Sequence, residues 1–307
     1  PFDLTKEIAS ENGFGTDEEG FRAAMKVQKE KAREAIKGKN GSWGGAGITI
    51  PAECPATEFV GYETLSCDAE ILYIIKKSDS ESADAAFVEN ATDGEEVIII
   101  TDKTPFYAES GGQAGDTGVI TTSSGSVVRI AGTEKTSDKK WKHMGVVESG
   151  MIETGEKCIM NVDKTERLAT ERNHSATHLM QKALKTVLGD HVHQAGSSVN
   201  PDRMRFDFNH MQAMTAEEIA QVEELVNAAI YEDYCVDIKE MSIDDAKKLG
   251  AMALFGEKYG DVVRVVNMGG YSIELCGGTH VKNTASIGLI MTLHQSAVAS
   301  GIWRIEA

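Results

Sequence analysis

The sequence predicts an α+β protein in three parts: a helical lead-in, a small antiparallel β-barrel-like lobe, and an α/β core mixing long helices with strands. Three observations predict it. From about residue 56 to 162, short apolar or alternating runs are separated by turn residues, the pattern of a small barrel or sandwich. Beyond residue 163 the apolar spacing lengthens to that of helices, and further alternating runs follow. No βαβ rhythm repeats, which places the chain in the α+β class. The predicted boundaries are 1–47, 48–162 and 163–307.

Taken in order, residues 3–39 read as helical, with Asp17, Glu18 and Glu19 in a first turn where the helix dipole favours acids. Phe21 and Met25 begin a loose apolar stripe. Gly38 to Gly47 is a glycine-rich linker. Strands are expected at Ala69–Ile75, Glu96–Thr101, Gly118–Thr122, Ser126–Ile130, Lys142–Glu148 and Lys157–Val162. A helix should run from Lys164 to Leu188 and stop at Gly189. A second, Thr215–Tyr231, opens with Thr215 and Glu218 at the spacing of a capping box. Ser242 to Asp245 starts a shorter helix, and strands follow at Asp261–Met268, Tyr271–Leu275, Ser286–His294 and Val298–Glu306.

Length and composition narrow the functional classes. A chain of 307 residues can hold two ordinary cores, and 41% hydrophobic with 26% charged residues is globular. No apolar run approaches the ~20 residues that span a bilayer, so no membrane partner is expected. No signal peptide pattern opens the chain. It starts at Pro1, and Trp303–Ala307 reads as a strand still in progress, as expected of a piece of a longer polypeptide. Five irregularly spaced cysteines argue against a disulfide framework and for a reducing compartment, by default the cytoplasm.

Net charge is −17, but it is unevenly spread. Glu53–Asp116 holds 15 acids against 3 bases, whereas Arg22–Lys39 holds 7 bases against 2 acids and Lys164–His210 holds 7 against 5 with five histidines. A polyanion can lie on the basic stretches and avoid the acidic one; solvated surfaces explain the same numbers.

Four motifs carry chemistry. In His174-Ser-Ala-Thr-His178, positions i and i+4 share one helix face, so two imidazoles can converge on a metal ion. The zinc-protease version needs Glu after the first His; Ser175 stands there instead. Cys276-Gly-Gly-Thr-His280 sets a thiolate and an imidazole four apart in a glycine-rich turn, the other half of a tetrahedral N/S zinc site. In the loop 104–118, Ser110, Gly111 and Gly112 permit a tight turn whose N–H groups converge, and Gln113 offers a donor and an acceptor. After the zinc helix, Gln194 is polar and close in sequence to the metal helix, placed to contact a substrate. His191 and His193 fit surface or packing roles, and Arg203 and Arg205 fit either a phosphate contact or a solvated face.

Together the segments TPFYAESGGQAGDTG, RNHSATHLMQKAL, HQAGSSVNPDRMRFDF and CGGTHVKNTASIGLIMTLHQSAVASGIWRIEA resemble the editing region of the alanyl-tRNA synthetase family, bacterial type. The opening PFDLTKEIASENGFGTDEEGF resembles the segment leading into it, so the likeness covers essentially the whole chain. The resemblance implies that residues 163–307 form a zinc-containing editing core, with His174, His178, Cys276 and His280 as Zn2+ ligands. It implies a selectivity role for Gln194 and brings Thr104 and Gln113 near the terminal adenosine and its aminoacyl group. The implied reaction is hydrolysis of the ester in Ser-tRNA(Ala) or Gly-tRNA(Ala), and the implied partner is the tRNA(Ala) acceptor end. The ATP and alanine pockets of the synthetic site are expected upstream, outside these residues. Two alternatives stand beside this: a free-standing trans-editing deacylase, and a zinc-stabilised module that docks tRNA without catalysis. One departure shows: Trp303-Arg304 stands where the family is expected to carry two arginines.

Overall fold

A computed structural model of the chain describes residues 6, 9–11, 13–25, 27, 50–76, 86–252 and 260–307. The chain divides into two units, Pro1–Ile50 with Lys77–Ala85, and Pro51–Lys76 with Ala86–Ala307. In the first unit residues 9–11 and 18–25 are helical, and the helix expected from residue 3 is interrupted at residues 13–17. Asp17 accepts the Gly20 N–H at 2.8 Å, the bond of an N-cap residue. The remainder of the expected lead-in beyond residue 27 and the glycine-rich linker lie outside the described residues.

In the second unit six antiparallel strands close a barrel: β1 (Ser66–Lys76), β2 (Glu96–Thr101), β3 (Gly118–Thr122), β4 (Val127–Lys135), β5 (Trp141–Ser149) and β6 (Lys157–Val162). The order is β6-β3-β4-β5-β2-β1, and β1 pairs back onto β6. Alternation explains the closure. Along β6 every second residue is buried, and Ile71, Ile74, Ile99, Ile120, Val128, Ile130, Val147 and Met160 fill the interior. β4 and β5 run longer than their apolar pattern predicts, because their pairing continues through polar residues to Lys135 opposite Trp141.

The rest of this unit is helix and sheet. Helix α1 (Lys164–Leu188) begins where Asp163 accepts the N–H groups of Thr165 and Glu166, and it ends at Gly189, whose φ is 111°. Helix α2 (Ala216–Tyr231) carries the expected capping box between Thr215 and Glu218. A short helix, α3 (Ile243–Lys248), is capped by Ser242. An antiparallel sheet of β7 (Gln194–Val199), β8 (Met204–Asn209), β13 (Ile302–Glu306) and β12 (His294–Ala299) packs Phe206, Phe208 and Ile305 with Leu179, Met180, Leu184, Val222 and Val226 of the helices. β9 (Val236–Ser242), β10 (Val262–Met268) and β11 (Ser272–Leu275) form a separate three-stranded sheet.

Two expected strands are corrected. Ser286–His294 is not a strand: Thr284–Ile287 is a 3₁₀ turn capped by Asn283, and the ladder begins only at His294. The backbone between is satisfied by side chains of α2 instead. Asn227 exchanges two bonds with Ile290, at 3.0 and 2.9 Å, and Glu223 accepts the Thr292 N–H. The single strand expected at Val298–Glu306 is broken by a hairpin turn at Gly301, φ 71°, so that Val298 and Ala299 end β12 and Ile302–Glu306 forms β13.

Helix α1 is tied to the barrel loops by one buried ion pair. The Arg167 Nε lies 3.0 Å from both Asp116 oxygens, and its Nη2 also bonds that carboxylate. Its remaining donors reach the carbonyls of Gly61 at 2.8 Å and Pro105 at 2.9 Å. Asp116 → Ala therefore leaves a guanidinium buried without its counter-charge, with an expected loss of about 3–5 kcal/mol of stability. Urea unfolding measures it; a loss under about 1 kcal/mol, the level of a surface pair, would show that the pair does not hold the junction.

Candidate metal centre

His174 and His178 both fall on the buried face of α1, one turn apart, with rings 5.3 Å between centroids. The turn after β11 brings Cys276 and His280 against them. The four ligand atoms lie within 4.8 Å of one another. Cys276 Sγ stands 3.4 Å from His174 Nε2 and 3.3 Å from His280 Nε2. Zinc bonds of ~2.0–2.1 Å to nitrogen and ~2.3 Å to sulfur at tetrahedral angles place N and S about 3.5 Å apart, so the set fits that ion.

Hydrogen bonds on the far side of each ring determine which nitrogen is offered. Gln113 Oε1 accepts the Thr279 N–H at 2.9 Å, so it is the acceptor of the 2.8 Å bond to His174 Nδ1 as well. His174 therefore carries its proton on Nδ1 and presents Nε2. Glu274 accepts the Nδ1–H of His178 at 2.7 Å; the buried Nε2 of that ring has no hydrogen-bond partner among the described residues. His280 Nδ1 lies 3.2 Å from the Ser175 hydroxyl, which also accepts the Val281 N–H. Three Nε2 atoms and one Sγ thus converge, each imidazole held by an outer partner as in protein metal sites.

The turn itself requires glycine. A Cβ at Gly278 would run into the His174 ring and the Gln113 amide. Gly112, at φ 83°, lies so close to Ser197 that a side chain would strike its backbone carbonyl. The Gly-rich loop is thereby seated on β7, where Val199 N donates to Gly112 O at 2.7 Å and Ala114 N to Val199 O at 2.9 Å.

Electrostatics prepare the thiolate. Burial pushes the Cys276 thiol up, but the imidazoles around it, His174 foremost, pull it down by more, well below the ordinary thiol value. Burial and the neighbouring His174 hold His280 down to about 3, so it is neutral. For His178 burial opposes charge, yet Glu274 and the Cys276 thiolate outweigh it and hold the ring well above the ordinary imidazole value.

The other expected site residues are distributed differently. Gln113 is fully buried, its Nε2 donating to Thr279 Oγ1 at 2.9 Å, so its amide is committed within the protein. Thr104 is also fully buried. His143 Nδ1 faces the Ile99 carbonyl at 2.9 Å and must carry the proton, so its Nε2 accepts from the Thr104 hydroxyl at 2.8 Å. That hydroxyl also accepts the Phe106 N–H at 3.1 Å. Gln194 is half-buried at the start of β7, with Nε2 donating to Ser197 at 3.2 Å and its carbonyl oxygen unbonded among the described residues. His191 lies in the loop before β7 and pairs with His210 at 2.9 Å. Arg203 and Arg205 stand 3.7 and 3.8 Å from Glu306 and Asp207. Trp303 packs on the helix–sheet core, and Arg304 forks onto Asp207 at 2.7 and 2.8 Å.

The sequence pattern described as tRNA synthetases class II (A) matches residues 1–166. That described as the threonyl and alanyl tRNA synthetase second additional domain matches residues 263–306. Along its whole length the chain is 52% identical to the alanine–tRNA ligase of Acetivibrio thermocellus. The chain belongs to the alanyl-tRNA synthetase family. It is also 46% identical to the alanine–tRNA ligase of Thermoanaerobacter sp. and 45% to that of Bradyrhizobium diazoefficiens, again over all of its length. It spans about a third of these curated relatives, 34% of the first two and 35% of the last. All five cysteines are unpaired, and among the described residues no helix is long and apolar enough to cross a membrane.

Sequence reasoning missed Glu274, Ser175 and Arg167. Glu274 had a signal: an acid between Ile273 and Leu275 at the end of a strand that must be buried. Because His178 is held protonated, zinc must displace its proton. Zinc affinity should therefore rise about tenfold per pH unit below the His178 value and level off above it, and Glu274 → Gln should lower the pH at which it levels. Zinc titrations across pH test this; identical pH dependence in wild type and variant would contradict it.

Proposed function

We propose that the chain is the editing site of an alanyl-tRNA synthetase: a zinc-dependent esterase that frees serine or glycine from the acceptor end of mischarged tRNA(Ala) in the cytoplasm. The observation that carries this is the convergence of three Nε2 atoms and a thiolate, all oriented by outer partners, in a chain of this family. A pocket fitted to alanine gains only ~1–3 kcal/mol by rejecting glycine and rejects an added hydroxyl poorly. A second site that hydrogen-bonds the serine hydroxyl separates the two, since alanine leaves its polar groups unpaired.

His174, His178, Cys276 and His280 hold the zinc. When bound, it supplies a Lewis acid that can polarise the ester carbonyl, activate water or hold the amino group. Gln113, Glu274 and Ser175 engage the Nδ1 atoms, so that Nε2 is the nitrogen each imidazole turns to the metal. Gln194 meets the serine hydroxyl with its unbonded carbonyl oxygen. Thr104 acts through Phe106 and the Gly-rich loop it introduces, as its own hydroxyl is engaged.

One observation favours a second reading. Four protein ligands make the closed shell of a structural zinc, which would hold the fold while the region only docks tRNA. Deacylation of Ser-tRNA(Ala) and Ala-tRNA(Ala) decides between them. Serine should be released faster, Cys276 → Ala should remove most activity, roughly 100-fold or more, and Gln194 → Ala should erode the preference for serine. Release of serine at the uncatalysed rate by zinc-loaded, folded protein would leave the docking module standing.

A further inference from the structure

The turn that carries Cys276 and His280 has two successive glycines, and the Cβ direction of Gly277 opens onto empty space. Such a turn has little of its own to hold it in one shape. Yet all three of its first carbonyls are captured. Arg264 Nη1 donates to Cys276 O at 2.9 Å and to Gly278 O at 2.8 Å, and the Tyr62 hydroxyl donates to Gly277 O at 2.6 Å. The two captors also hold each other, with the Arg264 guanidinium 4.1 Å from the Tyr62 ring centroid. Cys276 N donates to Arg264 O at 3.0 Å, so Arg264 grips the turn from backbone and side chain alike.

With the carbonyls turned toward these donors, the N–H groups of Gly278 and Thr279 face the site. Gly278 N points at Cys276 Sγ at 3.4 Å, and Thr279 N at Gln113 Oε1 at 2.9 Å. Tyr62 is anchored in turn by the barrel: its ring meets Phe59 edge-on at 5.0 Å, and Phe59 stacks on Trp141 at 5.7 Å. Trp141 is the first residue of β5 and donates its indole N–H to Phe106 O at 3.0 Å. A rigid aromatic chain thus runs from the barrel to the metal turn.

We propose that Tyr62 and Arg264 are positioning residues of the metal centre, clamping the Cys276–Gly278 carbonyls so that the barrel pre-orients the thiolate and the His280 imidazole for zinc. The proposal rests on the zinc reading of the four-residue cluster. Neither residue touches the metal; both act through the turn.

The test is zinc affinity of the full chain, by competition with a chromogenic chelator, together with the visible spectrum of the cobalt-substituted protein. Tyr62 → Phe keeps the ring and its packing and removes one carbonyl bond. It should weaken zinc about tenfold and alter the cobalt bands, while the melting temperature of the metal-free protein stays unchanged. Arg264 → Met should weaken zinc about 10–100-fold, and Arg264 → Lys should recover part of that loss. Wild-type affinity and an unaltered cobalt spectrum in Tyr62 → Phe, with zinc bound to the parent chain, would overturn the clamp alone. Failure of the parent chain to bind zinc, or zinc binding untouched by Cys276 → Ala, would overturn the metal reading and the clamp with it.

Discussion

The geometry of this protein hangs on the buried contact between Arg167 and Asp116. Two of the four candidate ligands, His174 and His178, ride on the buried face of α1, and the others come from a turn roughly 100 residues later in the chain. Sub-ångström placement of imidazoles on a helix requires the helix to be fixed in translation and rotation. Hydrophobic packing alone does this poorly, because apolar contacts have no direction. The guanidinium of Arg167 supplies direction: it is planar and meets a carboxylate and two carbonyls at once, all from loops of the barrel. The same loop that carries Asp116 carries Gln113, whose amide holds His174. The anchor of the helix and the orienting partner of its ligand thus move together.

Around the four candidate ligands stand partners drawn from four separate elements of the larger unit. Gln113 comes from the barrel loop, Ser175 from α1 itself, Glu274 from β11 and Arg264 from β10. Such a layer answers a physical requirement. An imidazole in water exchanges freely between tautomers, and only one of them presents Nε2 to a metal; a fixed acceptor at Nδ1 removes that freedom before the ion arrives. The charges are arranged to the same end, with one acidic partner on His178 and the surrounding imidazoles lowering the thiol.

Much of the fold was legible because it is periodic. Lys157–Val162 alternates in the sequence and in the barrel wall, and the capping box of α2 is a local device whose partners are three residues apart. The errors fell where partners are remote. Ser286–His294 has the composition of a strand, but its backbone groups are taken by Asn227 and Glu223 from a helix some 65 residues away. The hairpin turn at Gly301 was hidden inside an alternating run. At the site, the four candidate ligands were legible as two i, i+4 pairs, whereas the inward hydrogen bonds of Thr104 to His143 and of Gln113 to His174 were not.

The sequence by itself determined the class of the protein, its helices and most barrel strands, and the identity of the four soft and borderline donors. Those follow from spacing and side-chain chemistry, which are local. Only the tertiary structure decided that the two pairs meet, which nitrogen each ring presents, and which polar side chains are committed inward. Those depend on contacts such as Arg167 to Asp116, Gln113 to His174 and Tyr62 to Gly277, between residues 51, 61 and 215 positions apart. No local pattern encodes a hydrogen bond across such separations, because its geometry exists only once the intervening chain has packed.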